Sequence, residues 1–373
     1  MKNPFSYILS CIFVLAAHTA LLYGVLRNGI YDDTGSVVVL ALAVIGLDIA
    51  WYVIMPFFRQ NTYNVDFMLL FIINMSNIFQ SCFGGVSIDV KHYITGIAAL
   101  VSCRFGAALC RSHKYAPQRR KFIYIAIGIV MLVILTLTGS RSMWIDLGFI
   151  TIQPSEFLKP LLVLAGATSI IEQQNKKKVL SFNIVPENVF FLGITAAICL
   201  LQWWCRDLGS IPVFAAIYAV GFLLRICYPK AKFSRNTLIA AGAAVAVLAL
   251  IAIRLAPEYV RERLFADIWS DTSGSGYQQS RALIAIAEGG WFGKGAGHGF
   301  LSSVFAHEND IVFATISEEW GLLMALMVIL AIIVMLSAPL IVPPRSYYHA
   351  TLAAGVCAAF ISQTALNIFG SCN

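Results

Sequence analysis

The chain has 373 residues, 59% of them hydrophobic and only 12% charged, with a mean hydropathy of +0.79. Soluble globular domains carry charge on about a quarter of their residues, so this composition excludes a water-soluble domain and defines a polytopic membrane protein. The formal net charge of +7 falls in alternate loops, which removes nucleic acid as a partner and makes the basic residues a record of topology.

Apolar runs near the ~20 residues that cross a bilayer occur at 7–27, 36–58, 66–82, 92–110, 121–138, 155–171, 187–204, 210–226, 236–254, 310–336 and 348–369. They predict an all-α helical bundle of about eleven transmembrane helices. The first run begins close to Met1, contains His18 and lacks a small-residue cleavage site, so it is a retained helix rather than a signal peptide. Asp48 stands alone inside the second run and is assigned to a helix–helix contact.

Lys and Arg concentrate at Arg111, Lys114, Arg119, Arg120 and Lys121, then at Lys176–Lys178, at Arg225, Lys230, Lys232 and Arg235, and at Arg345. This alternation places the N-terminus and these four loops in the cytoplasm. Residues 139–154, 203–209 and 255–309 then lie outside. The last is far longer than a common connection and holds Tyr259, Phe265, Trp269, Tyr277, Trp291 and Phe292, aromatics suited to the headgroup region. The nine cysteines lie mostly in or beside apolar runs without a C-x-x-C, so they read as small buried hydrophobes and not as a metal site or disulfide framework.

Chemistry concentrates in Tyr277–Gly321, where polar groups at the edge of hydrocarbon are expensive to hold unless they serve a purpose. Residues 281–288 predict a short helix at the interface. The following segment, with Gly289, Gly290 and a glycine at nearly every second position from Gly293, lets the backbone adopt positive φ and approach a ligand; the alternative is a flexible turn. Asp310, after His307, Glu308 and Asn309, stands at the mouth of an apolar run. It is either a general base whose pKa is raised by partial burial and nearby carboxylates, or an N-cap. Glu318 and Glu319 follow two turns later, and face either a polar cavity or a structural salt bridge.

Two further clusters enter the membrane from the same side. Glu156 and Lys159 share a helix face at i, i+3, as a buried structural pair or as substrate contacts. Arg206 and Asp207 begin another span. The clusters around Glu156, Asp207 and Asp310 are therefore expected to wall one outward-facing polar cavity.

Five ordered motifs carry a family resemblance: Trp144–Gly148 (W-I-x-L-G), Gln153–Lys159 (Q-P-S-E-x-x-K), Asp207–Ser210 (D-L-G-S), Tyr277–Gly295 (Y-Q, then A-I-x-x-G-G-x-x-G-x-G) and Asp310–Gly321 (D-x-x-F-A-x-x-x-E-E-x-G). Over roughly 120–373 the chain resembles the SEDS (shape, elongation, division and sporulation) family of FtsW-, RodA- and SpoVE-like proteins. The resemblance implies a peptidoglycan glycosyltransferase that polymerises lipid II at the outer face of the bacterial cytoplasmic membrane, with a class B penicillin-binding protein as partner. It places the family's essential aspartate at Asp310, which takes the proton of the acceptor 4-hydroxyl while the donor MurNAc C1 inverts. The leaving undecaprenyl pyrophosphate calls for cationic stabilisation from a basic side chain or a divalent ion, magnesium or manganese. By charge and side of the membrane, Arg281, Lys294 and Arg206 are the candidates. Gln153, Glu156, Lys159, Asp207, Tyr277, Gln278, Gly289, Gly290, His307, Glu308 and Glu318 complete the expected substrate-binding set.

Departures from the family pattern are specific. The usual P-E-x-H-T-D is here Phe305–Asp310, F-A-H-E-N-D, with His307 and Glu308 as substitutes for the displaced pair. Met143 stands where an Arg usually precedes the Trp, and Cys205-Arg206 where the family often has Gln-Pro. Five spans precede Q-P-S-E where three are common. Residues 1–110 therefore read as N-terminal helices including a two-helix extension, and 111–373 as the catalytic core with the large loop 255–309. The family would continue past Asn373 into a Gly-Ser loop and a twelfth helix, so a C-terminal truncation is expected. Two other functions fit a polytopic protein with a polar cavity: a flippase for lipid-linked precursors, or a non-catalytic scaffold for a penicillin-binding protein. A transporter calls for internal repeats and midplane charges, whereas these clusters gather at outer helix ends.

Overall fold

The computed structural model describes residues 4–28, 34–58, 63–83, 89–111, 116–138, 144–146, 148, 151–172, 177–179, 182–227, 254, 275–304 and 307–372. In hydrocarbon every backbone polar group must be satisfied within the segment, so the apolar runs form helices. They are α1 (Pro4–Asn28), α2 (Thr34–Ile54), α3 (Asn64–Cys82), α4 (Val90–Cys110), α5 (Ala116–Thr138), α6 (Ser155–Ser169), α7 (Pro186–Trp204), α8 (Ile211–Ile226), α9 (Ser275–Gly289), α10 (Val312–Trp320), α11 (Leu322–Leu336) and α12 (Tyr347–Cys372). Two small antiparallel hairpins, β1 (Ile145–Asp146) with β2 (Thr151–Ile152) and β3 (Lys177–Val179) with β4 (Phe182–Ile184), lie between them, with short helical turns at Met55–Phe58, Ile170–Glu172, Leu208–Ser210, Leu301–Ser303 and Ala338–Ile341.

Nine helices among the described residues are long and apolar enough to cross a membrane. Of the eleven expected spans, 155–171 forms the shorter α6, 15 residues with Pro160 inside it. The run 310–336 is divided at Gly321 into α10 and α11. The expected span 236–254, apart from Arg254, lies outside the described residues, as does the loop segment 255–274 with Tyr259, Phe265 and Trp269.

The chain divides into two compact units. The first comprises Met1–Ala108, Phe265–Ile341 and Asn367–Asn373. In it α1 packs on α2 and α3, α11 on α3, and α9 on α10. Val14, Trp51, Met55, Phe67, Leu70 and Leu100 build one apolar cluster. Beside it, Asp48 has partners that no single span reveals: its carboxylate meets His18 Nδ1 at 2.7 Å and accepts from Asn74 Nδ2 at 2.9 Å. His18 Nε2 faces the Phe71 carbonyl, and Asn77 donates to Asn74. His18, Asp48 and Asn74 are all fully buried, so α1, α2 and α3 are tied by a polar network in a place where a lone ionisable group is costly. Asp48→Ala strands His18 and Asn74 together and should lower stability by about 3–5 kcal/mol. Thermal melting in detergent measures this, with Asp48→Asn losing less. A second ion pair, Asp66 with Arg104, is also buried, and Arg104 lies over the Phe58 ring.

The second unit comprises Leu109–Leu264 and Val342–Leu366. Leu158, Leu162, Phe191, Ile198, Phe214 and Ile217 form its core, where α6 packs on α5, α7 and α8. Arg225, expected in a cytoplasmic loop, lies inside α8 and is 1% exposed. Its guanidinium donates to the carbonyls of Gly221 (2.7 Å) and Gly166 (2.9 Å) and stacks over Phe191. A Cβ on Gly221 would lie 3.0 Å from Arg225 Nη1 and one on Gly166 3.1 Å from the Phe191 ring, so the two glycines leave room for the guanidinium and for the ring it stacks on. A cation next to the last carbonyls of α6 also complements that helix's negative end.

Candidate active site

In the first unit the glycine-rich loop after α9 is fastened to the α10–α11 junction backbone to backbone. The amides of Lys294 and Gly295 donate to the carbonyls of Glu318 and Glu319, both at 2.9 Å, and Leu322 donates to Gly290 at 2.9 Å. Gly293 (φ 79°) and Gly321 (φ 89°) meet at the centre; a Cβ on Gly293 would lie 2.6 Å from Gly321 N. At Gly289 a Cβ would lie 2.7 Å from the Glu318 Cα. These glycines thus serve the close approach of two chain segments. For Gly289 this differs from the sequence expectation of approach to a ligand. Gly290 (φ 56°) has open space around its Cβ position.

The carboxylates behind the loop are held, not free. Glu318, with no exposure, accepts from the amides of Phe300 (2.9 Å) and Leu301 (3.1 Å) and from Lys294 Nζ (3.1 Å). Lys294 also donates to Glu288 and lies over the Phe300 ring. Burial disfavours the Lys294 ammonium, but its hydrogen bonds to Glu288 and Glu318 outweigh that and raise its pKa. Glu319, 1% exposed, accepts from Gly297 N at 3.0 Å. Desolvation pushes the Glu319 carboxyl from its ordinary 4.5 up to about 7; the Gly297 amide opposes this, and the charge of Glu318 adds to it.

A raised carboxyl pKa stabilises the folded loop fully below the ordinary value and ceases to do so as pH rises through the folded one. Protection of the loop amides should therefore fall between pH 4.5 and about 7. Amide hydrogen exchange of 293–299, corrected for its intrinsic pH dependence, reads this, and Glu319→Gln should flatten the profile.

Asp310 sits in the turn before α10 and is exposed, not partly buried as expected. Ile311, not Asp310, occupies the N-cap position, and no side chain caps the helix. Among the described residues the Asp310 carboxylate has no hydrogen-bond or ion-pair partner; its carbonyl, with that of Asn309, accepts from Asn367 Nδ2. His307 places Nδ1 2.9 Å from the Val304 carbonyl and Nε2 3.8 Å from the exposed Glu308. On α9, the exposed Arg281 lies over the Tyr277 ring at 5.3 Å, one turn from Gln278.

In the second unit Asp207 accepts from Gln153 Nε2 at 3.2 Å and from Ser210 Oγ at 2.7 Å. Glu156 and Lys159 pair at 2.6 Å, the carboxylate half exposed and the lysine buried. Arg206 is exposed with φ 61°, a left-handed conformation uncommon outside glycine. Among the described residues its guanidinium has no partner, and no three His, Cys, Asp or Glu side chains gather as an ion-holding group. Glu288 and Ser210 lie outside the expected site set, yet each bonds a member of it, Lys294 and Asp207 respectively. For Ser210 its place three residues after Asp207 was an available signal.

Among the described residues, nine apolar helices, a loop locked by buried carboxylates and an exposed carboxylate without a partner define a multi-pass membrane protein with an acidic site at helix ends. The model of the FtsW, RodA and SpoVE family, described as "Cell cycle protein", matches residues 55–372. The chain belongs to this family, and with it to the bacterial membrane. It is 30% identical over 270 residues to a "Probable peptidoglycan glycosyltransferase FtsW" of Alcanivorax borkumensis, covering 67% of this chain and 66% of that protein. To the protein of the same name in Aeromonas salmonicida it is 31% identical over 261 residues, covering 65% and 62%. In Alteromonas naphthalenivorans the figures are 34% over 260 residues, covering 66% and 48%. The chain thus spans less than two thirds of the length of these relatives. It shares its fold with a chain from "Structural coordination of polymerization and crosslinking by a peptidoglycan synthase complex", at a TM-score of 0.59 and 16% identity over 83% of this chain and 87% of that one.

Proposed function

We propose that this protein is a peptidoglycan glycosyltransferase that joins lipid II units into glycan strands, with its N-terminus in the cytoplasm and Asp310 at the outer surface. The observation that carries this reading is the contrast within one motif: Glu318 and Glu319 are buried in holding the loop, while Asp310 is exposed and its carboxylate has no partner among the described residues. A carboxylate with no internal partner is available to a substrate hydroxyl. Asp310 accepts the proton of the acceptor 4-hydroxyl as its oxygen forms the bond to the donor C1. The C1–oxygen bond to the pyrophosphate breaks, the lipid pyrophosphate leaves with the electron pair, and C1 inverts. Lys294 is engaged by two carboxylates, which favours Arg281 as this unit's cation for the leaving group. The relatives' names support the substrate class, and the synthase complex supports a transpeptidase partner of the penicillin-binding class.

Reconstitution in vesicles with dye-labelled lipid II, with and without that partner, tests the assignment. Labelled strands on a gel without faster scrambling between leaflets are the expected result. Scrambling without strands would make the protein a transporter, and neither activity with intact partner binding would make it a scaffold.

A further inference from the structure

In the second unit, α7 carries a shallow, open apolar groove of about 690 Å³, lined by Pro186, Val189, Phe190, Gly193, Ile194 and Ala197, with Lys177 of β3 also on its lining. We propose that this groove binds one acyl chain of an anionic phospholipid whose phosphate pairs with Lys177. Three observations carry it.

The first is shape. A Cβ on Gly193 would meet nothing within 4 Å, so the glycine leaves the floor of the groove open. The second is length: from Pro186 to Ala197 the helix rises about 16 Å at 1.5 Å per residue, close to the ~15 Å of one leaflet's hydrocarbon. A groove of that extent, beginning beside Lys177, matches one acyl chain entering from its headgroup end.

The third is charge. Lys177 is exposed and belongs to the run Lys176–Lys178, whereas the acid nearest this end of α7, Glu187, is paired with Arg120 at 3.4 Å. That end of the groove is therefore net basic, which selects an anionic headgroup over a zwitterionic one. The wall residues Val189 and Phe190 are about half exposed, as a surface completed by lipid would be. The occupant is a phospholipid. A second copy of the chain or a partner's helix would cover the apolar wall but gives no role to Lys177.

Native mass spectrometry of the protein released from nanodiscs of mixed phosphatidylglycerol and phosphatidylethanolamine tests this. Wild type should retain a phosphatidylglycerol adduct. Lys177→Gln should lower its preference over phosphatidylethanolamine about fivefold, the scale of one basic residue at an anionic surface. Gly193→Leu, which fills the groove from an unobstructed position, should remove the adduct of either lipid while leaving the melting temperature in detergent unchanged. Equal retention by all three proteins would overturn the proposal, as would loss of a protein subunit rather than a lipid on Gly193→Leu. The readout is lipid mass, so it is independent of whether the chain polymerises lipid II.

Discussion

Asp310→Asn is expected to abolish glycan synthesis by the folded protein, a fall of about 10²–10⁴-fold, the usual contribution of a positioned general base. The effect should fall on kcat and leave KM for lipid II nearly unchanged, because the amide keeps the size and polarity of the side chain and loses only its ability to take a proton. Asp310 is exposed and its carboxylate has no partner among the described residues, so its replacement breaks nothing internal and the melting temperature should not move. A loss of stability equal to the loss of activity would instead make Asp310 a structural residue. Initial rates over a range of lipid II concentration, with melting curves on the same preparations, separate the two outcomes.

Gly321→Ala should be the most damaging single-methyl change in the site. Its backbone, at φ 89° and ψ 158°, occupies a region essentially reserved for glycine. An added Cβ would lie 2.6 Å from the Phe292 carbonyl carbon and 2.7 Å from Gly293 N. Strain of about 1–3 kcal/mol combines with overpacking of about 1–3 kcal/mol, and neither segment can retreat without breaking the hydrogen bonds of 290–295 to 318–323. Melting temperature and polymerisation should both fall sharply. Gly128→Ala is the control: it lies in a helix with nothing within 4 Å of its Cβ position, and should be neutral or slightly stabilising. Equal behaviour of the two variants would mean that the loop is not fastened as described.

The two glycine positions also show what the sequence carries and what it does not. Helices follow from hydropathy, because lipid leaves the backbone no other option, and most spans are placed to within a few residues. The break at Gly321 is not legible in that way, since 310–336 is apolar on both sides of it and only the left-handed backbone divides α10 from α11. Pairing at short range was readable: Glu156 and Lys159, three apart on one helix, do pair. Pairing at long range was not. Asp48 looked isolated because its partners, His18 and Asn74, belong to other helices. The same holds for Glu318, whose donors come from the loop 294–301, so a carboxylate grouped with the substrate contacts is an anchor for the loop's backbone. Asp310 was singled out by its place in the motif, and its exposure is what distinguishes it from the buried pair that follows.

Strand synthesis from lipid II by the purified protein, with the partner's crosslinking blocked, decides whether the chain is a polymerase with Asp310 as its general base. Wild type should give strands that a muramidase specific for β-1,4 linkages digests completely, and folded Asp310→Asn should give none. Strands of equal yield from both proteins, or a product the muramidase leaves intact, would contradict it.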